Sequence, residues 1–574
     1  MLKPWELTHE WPLCEAGRAR SPGRKPDGRW RAHRGIAGRY PDGGVADPQG
    51  DITPVRVRPG TPCRFLPDGR LSGLLGLDPQ WRAAARLLQR SPRRTRHRHH
   101  PTGGEMATSS RLDVRNPGSP RVVIIGAGPA GTRCAETLLA AGIKPILIDE
   151  NRRDGGQIYR RQPEGFKRDY SALYGTEAAK ARDLHESFDR LRPQIDYRPD
   201  TLAWNLTRGE LCCASQGVHT VVEYDALILC AGATDRLMPI KGWQLAGTYS
   251  LGGSQIALKS QSVSIGSRVV FMGSGPLLYL VASQYVKAGA DVAAVLDTSP
   301  FGKRVSAMPK LLARPGLLFN GMKLLGQLYS AGVPVHLGVQ PEEIIGSEQD
   351  GVTGVRVKLA NGNALNVDCD ALALGYHLRP ETQLADLAGC QLRFDEASGQ
   401  WVLAVDEEGR TSVKGFYAAG DGAKIRGADA AEQAGRLVAM ALLEDLDRPV
   451  DNSRQAEVRK SLVAMDRFRV GLAEAFPWPA AQAAALPDDA IVCRCEMISA
   501  GELRGVVREK GACEVNRAKA FSRVGMGRCQ GRYCSQAGAE VIAAEAGVPV
   551  EQVGRQRGQA PVKPLSMLID EVAS

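Results

Sequence analysis

No stretch of this 574-residue chain approaches the roughly 20 consecutive apolar residues that a membrane-spanning helix needs. Its longest apolar pieces are short, such as "RVVIIGAG" and "LVAMALL". A helical span is not expected, although peripheral attachment to a membrane stays open. No segment combines a charged start, an apolar middle and a small-residue cleavage site, as a secretory signal does. The thirteen cysteines are odd in number and irregularly spaced. A disulfide framework is therefore not indicated, and a reduced, cytoplasmic setting is the expectation, with the cytoplasmic face of a membrane as its variant. Cys-x-x-Cys is absent throughout, which removes the usual arrangement for a redox dithiol. The remaining composition is that of an ordinary globular protein, long enough for about two to four domains with buried cores.

The net charge of +11 would suggest a nucleic-acid partner if it belonged to a folded surface. Residues 1–105 carry 20 Lys plus Arg against 10 Asp plus Glu, so this head holds +10 and the other 469 residues +1. The head ("RSPGRKPDGRWRAHRG", "RSPRRTRHRHHPTGG") is rich in Arg, Pro and Gly and holds five of the nine histidines. Without sustained periodicity, residues 1–119 are expected to be mostly disordered. A nucleic-acid or membrane-binding tail is the functional reading. The preferred ones are a solvated tail, or upstream sequence ahead of a true start at Met106. No nucleic-acid partner is expected.

The first chemical motif follows at once. In "RVVIIGAGPAGTRCAETLLAAGIKPILIDE", residues 121–150, the spacing predicts a buried strand over 122–125, a turn at Gly126-x-Gly128-x-x-Gly131, a helix over 130–141 and a strand over 145–148. This is the pattern of a dinucleotide-binding βαβ unit. Gly126 permits the tight turn, Gly128 admits the pyrophosphate, and Gly131 lets helix and strand pack closely. The helix N-terminus attracts the anion, and Asp149 falls where a carboxylate can accept from a ribose hydroxyl.

A weaker unit recurs in "RVVFMGSGPLLYLVASQYVKAGADVAAVLD", residues 268–297, with Gly273, Gly275 and Asp297 in the corresponding places. Leu278 stands where a third glycine or alanine belongs, which is expected to push the helix off the strand or to alter the anion pocket. This unit is left as a poor NAD(H) site, a site for another adenine nucleotide, or scaffold. Cys134, Cys212, Cys213, Cys230, Cys369 and Cys390 lie on or near predicted helices and strands and behave as small apolar residues.

Near the C-terminus the cysteines change character. "IVCRCEMISAGEL" places Cys493 and Cys495 one residue apart, and "GMGRCQGRYC" brings Cys529 and Cys534, with Gly525, Gly527 and Gly531 keeping the backbone open. Such a set suits a [2Fe–2S] cluster. Structural zinc and unliganded core cysteines are the alternatives, and zinc prefers Cys-x₂₋₄-Cys knuckles. Ser499-x-x-Glu502 reads as a capping box opening the helix between the pairs, and another helix follows from Ser535. Cys513 is read as a bystander. Glu432 and Gln433 could mimic catalytic groups but read as a helix's first turn, so no catalytic residue is assigned.

Two further segments, "YDALILCAGATDRLMPIKGW" with Gly232 and "GFYAAGDGA" with Gly420-Asp421, resemble the flavin disulfide reductase superfamily. That resemblance implies FAD at the first site, with Asp421 presented to its ribityl chain. In this order, "GGQIYRR", "GSGPLL", "AGDGA", "VCRCE" and "GMGRCQGRYC" resemble the FAD-containing subunit of the opine oxidase and hydrogen cyanide synthase family, joined to a domain similar to bacterioferritin-associated ferredoxin. Dye-linked proline and hydroxyproline dehydrogenases are similar. The resemblance covers residues 120 to about 570, and it adds Glu150, Gly156 and Gln157 as cofactor-binding candidates. The Cys529-x₄-Cys534 spacing departs from the free ferredoxin's Cys-x₂-Cys and fits the fused version.

The resemblance implies a partner similar to D-amino-acid oxidase that holds the substrate site, a small ferredoxin-like subunit, and hence a hetero-oligomer. The fold class expected is α/β, with two nested Rossmann-like nucleotide-binding domains lacking the redox disulfide, plus a small helical [2Fe–2S] domain. An FAD domain is expected at 120–262 and 376–450, interrupted by the second nucleotide-like domain at 263–375. A helical and Pro/Ala linker at 451–489, the cluster domain at 490–548 and a tail at 549–574 follow. The function implied is electron relay from a substrate-oxidising partner. A self-contained NADH-dependent reductase with a fused ferredoxin, and a basic-tailed binding protein on a flavin-fold scaffold, are the alternatives.

Overall fold

The apolar run Val122–Ile125 is buried along its whole length and becomes the middle strand of a five-stranded parallel sheet. From edge to edge the order is Phe416–Ala418, Ala226–Leu229, Val122–Ile125, Ile146–Ile148 and Asp196–Arg198. The structure, a computed structural model, describes residues 118–166 and 168–566, residues 112, 114 and 116, and two short strands, Gly44–Ala46 and Ile52–Pro54, which pair antiparallel. The expectation of a disordered head otherwise lies outside the described residues, as does the tail from residue 567.

Parallel strands covered on both faces read as unbroken apolar runs, and both sheets show this. The helix Pro129–Ala140 lies over the first sheet and is crossed by Ala428–Asp445. Their closest approach falls at Gly435, where a Cβ would overlap the Ala130 backbone. Val122, Ile124, Leu138, Leu147, Ile228, Val438 and Leu442 form the core between them. A three-stranded antiparallel sheet, Leu202–Thr207, Glu210–Ser215 and Val218–Glu223, is appended. Cys134, Cys212, Cys213, Cys230, Cys369 and Cys390 are all buried, as small apolar residues would be.

The second parallel sheet runs Thr248–Ser250, Ala371–Tyr376, Arg268–Ser274, Asp291–Asp297 and Val335–Leu337. Its edge strand Thr248–Ser250 comes from ahead of residue 263, so the sheet draws on chain from both sides of that expected boundary. Three residues after a Gly247 turn carry no periodic signal that could have announced it. Strand Leu378–Pro380 then returns to pair antiparallel with Ala233–Asp235, which follows the flavin-side strand.

Helix Asn452–Ala475 is no loose tether: it packs along Phe301–Leu311, burying Phe468 and Ala475 against Ala307 and Leu311. The C-terminal unit is a short hairpin, Ile491–Cys493 with Ile498–Ser499, and helices Ala500–Lys510, Val515–Ser522, Ser535–Ala546 and Val550–Val553. The capping box is complete: Glu502 N–H donates to Ser499 Oγ at 3.2 Å, and Ser499 N–H to the Glu502 carboxylate at 2.7 Å. Among the described residues no helix is long and apolar enough to cross a membrane.

Candidate functional site: two nucleotide cradles and a cysteine loop

The first glycine turn leaves no room for side chains. Gly126 has φ +108°, and a Cβ there would overlap the Cys230 carbonyl of the neighbouring strand. At Gly131 a Cβ would overlap the Gly126 carbonyl oxygen, so this glycine lets the helix begin directly over the turn. Gly156 (φ +63°) lies against Gly128, with a built Cβ 3.0 Å from its Cα. From the other side Gly420 abuts Ala130, and Gly422 lies against Gly232. Gly126, Gly128, Gly131, Gly156, Gly232, Gly420 and Asp421 are thus gathered at one helix N-terminus, whose free N–H groups favour a pyrophosphate.

Two carboxylates brace this cradle. Asp149 is buried at the end of strand Ile146–Ile148 and accepts from Ala127 N–H at 2.6 Å and from the backbone and side-chain amides of Asn151 at 2.6 and 2.9 Å. Burial pushes its carboxyl up, against these three donors. About one acceptor position then remains for a ribose hydroxyl. Asp421 Oδ1 accepts from the N–H groups of Arg426 and Gly427 at 2.8 and 3.1 Å, and burial pushes this carboxyl up too. Glu150 is ion-paired with Lys563, and exposed Gln157 accepts from Arg160. Glu432 is tied to Arg133 at 2.8 Å and is no free acid. The Thr132 hydroxyl, in the first turns of the same helix, is buried without a hydrogen-bond partner, which a polar ligand would relieve. The residues fit FAD, and when bound it supplies two-electron acceptance with release of single electrons.

The second glycine turn is filled by the chain itself. A Cβ at Gly273 would overlap the Gly375 carbonyl, as one at Gly126 would overlap Cys230, but here the His377 ring also stands 3.2 Å from where a Gly275 Cβ would be. His377 is held by the Phe476 carbonyl at 2.7 Å, and the Arg236 guanidinium lies 4.1 Å from the Trp478 ring centre. Asp297, fully buried, accepts from Tyr279 OH at 2.6 Å and Ser299 N–H at 2.7 Å and is ion-paired with Arg304. Leu278 turns into the core with Leu251, Phe271 and Val281 rather than facing a phosphate. The acid and the turn that a second dinucleotide would use are therefore occupied. The sequence gives no sign of Tyr279, Arg304, His377 or Phe476 in this role, because they come from four separate segments.

The four candidate cysteines are brought together. The Cys534 thiol lies beside the sulfurs of Cys493 and Cys529, and Cys495 lies beside Cys529. Contact with the Cys534 thiol pulls Cys493 down to about 6 and Cys529 down to about 5, while Cys534 and Cys495 are pushed up. Four thiols brought together from two loops suit two irons that share a cluster. Gly527 leaves room for Cys495, since a Cβ there would overlap the cysteine's own. Cys513 is exposed and stands outside the set.

The cysteine loop is docked on the chain that leaves the second sheet. Arg379 Nη1 donates to the carbonyls of Gly531 and Arg532 at 3.1 and 2.8 Å and to Ser535 Oγ at 3.0 Å. Glu381 accepts twice from Arg532, at 2.6 and 3.0 Å, and Gln383 donates to the Gln530 carbonyl at 2.7 Å. Glu381 N–H donates to the Gly232 carbonyl at 3.0 Å. One segment thus touches both the flavin cradle and the cysteine loop. No local pattern in the sequence announces this.

A doubly nucleotide-folded chain with one open and one filled glycine turn, and a cysteine loop docked on the segment beside the open one, is an FAD- and [2Fe–2S]-dependent oxidoreductase. Residues 120–435 match the pyridine nucleotide-disulphide oxidoreductase family, and residues 491–544 the BFD-like [2Fe-2S] binding domain. The chain is 37% identical over 463 residues to an opine oxidase subunit of Rhizobium meliloti, covering 78% of this chain and 86% of that one. It is 32% identical over 428 residues to hydrogen cyanide synthase subunit HcnB of Pseudomonas aeruginosa, covering 72% and 90%. The L-proline dehydrogenase structure from P. horikoshii shares the fold, with TM-score 0.56, 21% identity and 79% of each chain covered. The chain belongs to the flavin oxidoreductase family that these opine oxidase and hydrogen cyanide synthase subunits define.

Proposed function

We propose that this chain is the FAD and [2Fe–2S] relay subunit of an amino-acid or opine-type dehydrogenase complex. Its electrons come from a substrate-oxidising flavoprotein partner of the D-amino-acid-oxidase kind and pass on to an acceptor. A small ferredoxin-like subunit completes the hetero-oligomer, which works in the cytoplasm or on the cytoplasmic face of the membrane. The observation that carries this is the segment 378–383, whose Glu381 binds Gly232 beside the flavin cradle and Arg532 in the cysteine loop. A relay needs its two centres held at a fixed, short separation, and it needs no catalytic acid or base of its own.

In this reading Gly126, Gly128, Gly131, Gly156, Gly232, Gly420 and Asp421 hold FAD, with Asp149, Glu150 and Gln157 at its adenosine side. Cys493, Cys495, Cys529 and Cys534 hold the cluster, while Gly273, Gly275 and Asp297 belong to a scaffold domain. The test is reconstitution. The purified chain alone should show no flavin bleaching with amino acids or opines. With its co-purified partner, substrate should reduce flavin and cluster together and drive an artificial dye. Substrate turnover by the isolated chain would overturn the assignment.

A further inference from the structure

We propose that Arg379 is the cation that sets the reduction potential of the [2Fe–2S] cluster, reaching it from the flavin-bearing part of the chain. The inference rests on the relay reading and names the residue that biases its internal step. Reduction adds one negative charge to a group already negative from its four thiolates, so a nearby fixed cation favours the reduced form. Arg494 and Arg528, beside the cysteines, are exposed and screened by water, and the less exposed cations differ in what is left over to do this. Arg532 is neutralised by both oxygens of Glu381. Lys519, buried in the cluster domain, also acts on Cys534 but makes no hydrogen bond to the loop.

Arg379 has neither limitation. Its Nη1 is fixed by the carbonyls of Gly531 and Arg532 and by Ser535 Oγ, inside the arc between Cys529 and Cys534. All three acceptors are neutral, and among the described residues no carboxylate lies within ion-pair distance of it. Glu381 acts on Arg379 through space, but its two oxygens are held by Arg532, so Arg379 keeps charge for the cluster. The strand that carries it pairs with Ala233–Asp235, directly after Gly232 of the flavin cradle. The cation and the flavin strand thus move as one body. The step it biases transfers one electron from reduced flavin to the cluster, and no bond forms or breaks at the arginine.

The experiment is a mediated redox titration of the cluster in the full chain, followed by EPR, for wild type, Arg379→Met and Arg379→Lys. Arg379→Met should keep iron and sulfide content but need about tenfold stronger reducing conditions, ~59 mV for a one-electron couple. Arg379→Lys, which keeps the charge and loses the fork, should stay near wild type. An intact Met variant titrating at the wild-type potential would sink the proposal, as would equal shifts in both variants. If Met loses the cluster while Lys keeps it at the native potential, charge is again what matters. Loss from both shows that the arginine only props the loop, and overturns the idea. Because mediators reduce the cluster directly, failure of the relay reading itself would appear separately, as a wild-type cluster that reduced flavin cannot reduce.

Discussion

A methyl group added at Gly131 would overlap the Gly126 carbonyl oxygen, which is backbone and cannot swing aside. Gly131→Ala is expected to lose most of its FAD and to cost about 1–3 kcal/mol of stability. Flavin absorbance of the purified variant and its urea midpoint check this; full flavin with an unchanged midpoint would mean the turn relaxes. Replacing any one of Cys493, Cys495, Cys529 or Cys534 by Ser should bleach the iron–sulfur bands while FAD stays bound, because the flavin cradle takes none of its residues from the cluster unit. Metal analysis finding zinc in the native protein would count against the cluster. Two histidines set a pH dependence. His185 binds the Tyr159 carbonyl and Tyr170 hydroxyl, His377 binds the Phe476 carbonyl, and burial pushes both imidazoles down to about 4. Unfolded, each protonates near 6.5. Between those values the unfolded chain binds more protons, so stability falls as pH drops from about 6.5 to about 4, by up to ~3 kcal/mol for each. Urea midpoints across that range should show the fall, and His185→Gln should remove about half of it.

At the scale of elements, the sequence was informative wherever a period or a fixed spacing carried the signal. The run Val122–Ile125 is a strand over its whole expected length, and the following helix begins within one residue of its expected start. The four cysteines converge as their spacing implied. What could not be read were contacts between distant segments: Arg379 with the loop near Cys534, or Phe476 over the second glycine turn. Those depend on where elements land, and no local pattern encodes that. Leu278 was a visible departure, but its consequence was only half legible. It enters the core, while Tyr279 and Arg304, unremarked in sequence, take up the carboxylate that a nicotinamide dinucleotide would need. NADH should therefore reduce the flavin only slowly. Stopped-flow mixing checks this, and fast stoichiometric bleaching that Asp297→Ala weakens would favour the self-contained reductase.

For the whole molecule, the question is whether the cluster unit is a tethered accessory or part of one body. Its attachments are spread over its surface. Trp243 Nε1 donates to the Ile491 carbonyl, Trp478 Nε1 to Glu540 at 3.0 Å, and Arg555 pairs with Asp386 at 2.7 Å, in addition to the contacts of Arg379, Glu381 and Gln383. Lys563, beyond the last helix, returns to Glu150 at the flavin cradle. Ordinary interdomain contacts leave domains free to move, but these polar anchors are part-buried, and separating the units would leave Arg379 and Glu381 exposed to partner loss. Opening the interface would break these hydrogen bonds and ion pairs together, so the contacts are lost as a set rather than one at a time. Heating should accordingly release flavin and cluster in one transition, seen at the same midpoint by flavin fluorescence and by visible absorbance of the cluster. A chain ending at residue 489 should melt several degrees lower than the full one and bind FAD less completely. Two well-separated transitions, with a truncated chain as stable as the parent, would mean that the cluster unit is tethered rather than built in, and that flavin and cluster do not keep a fixed separation.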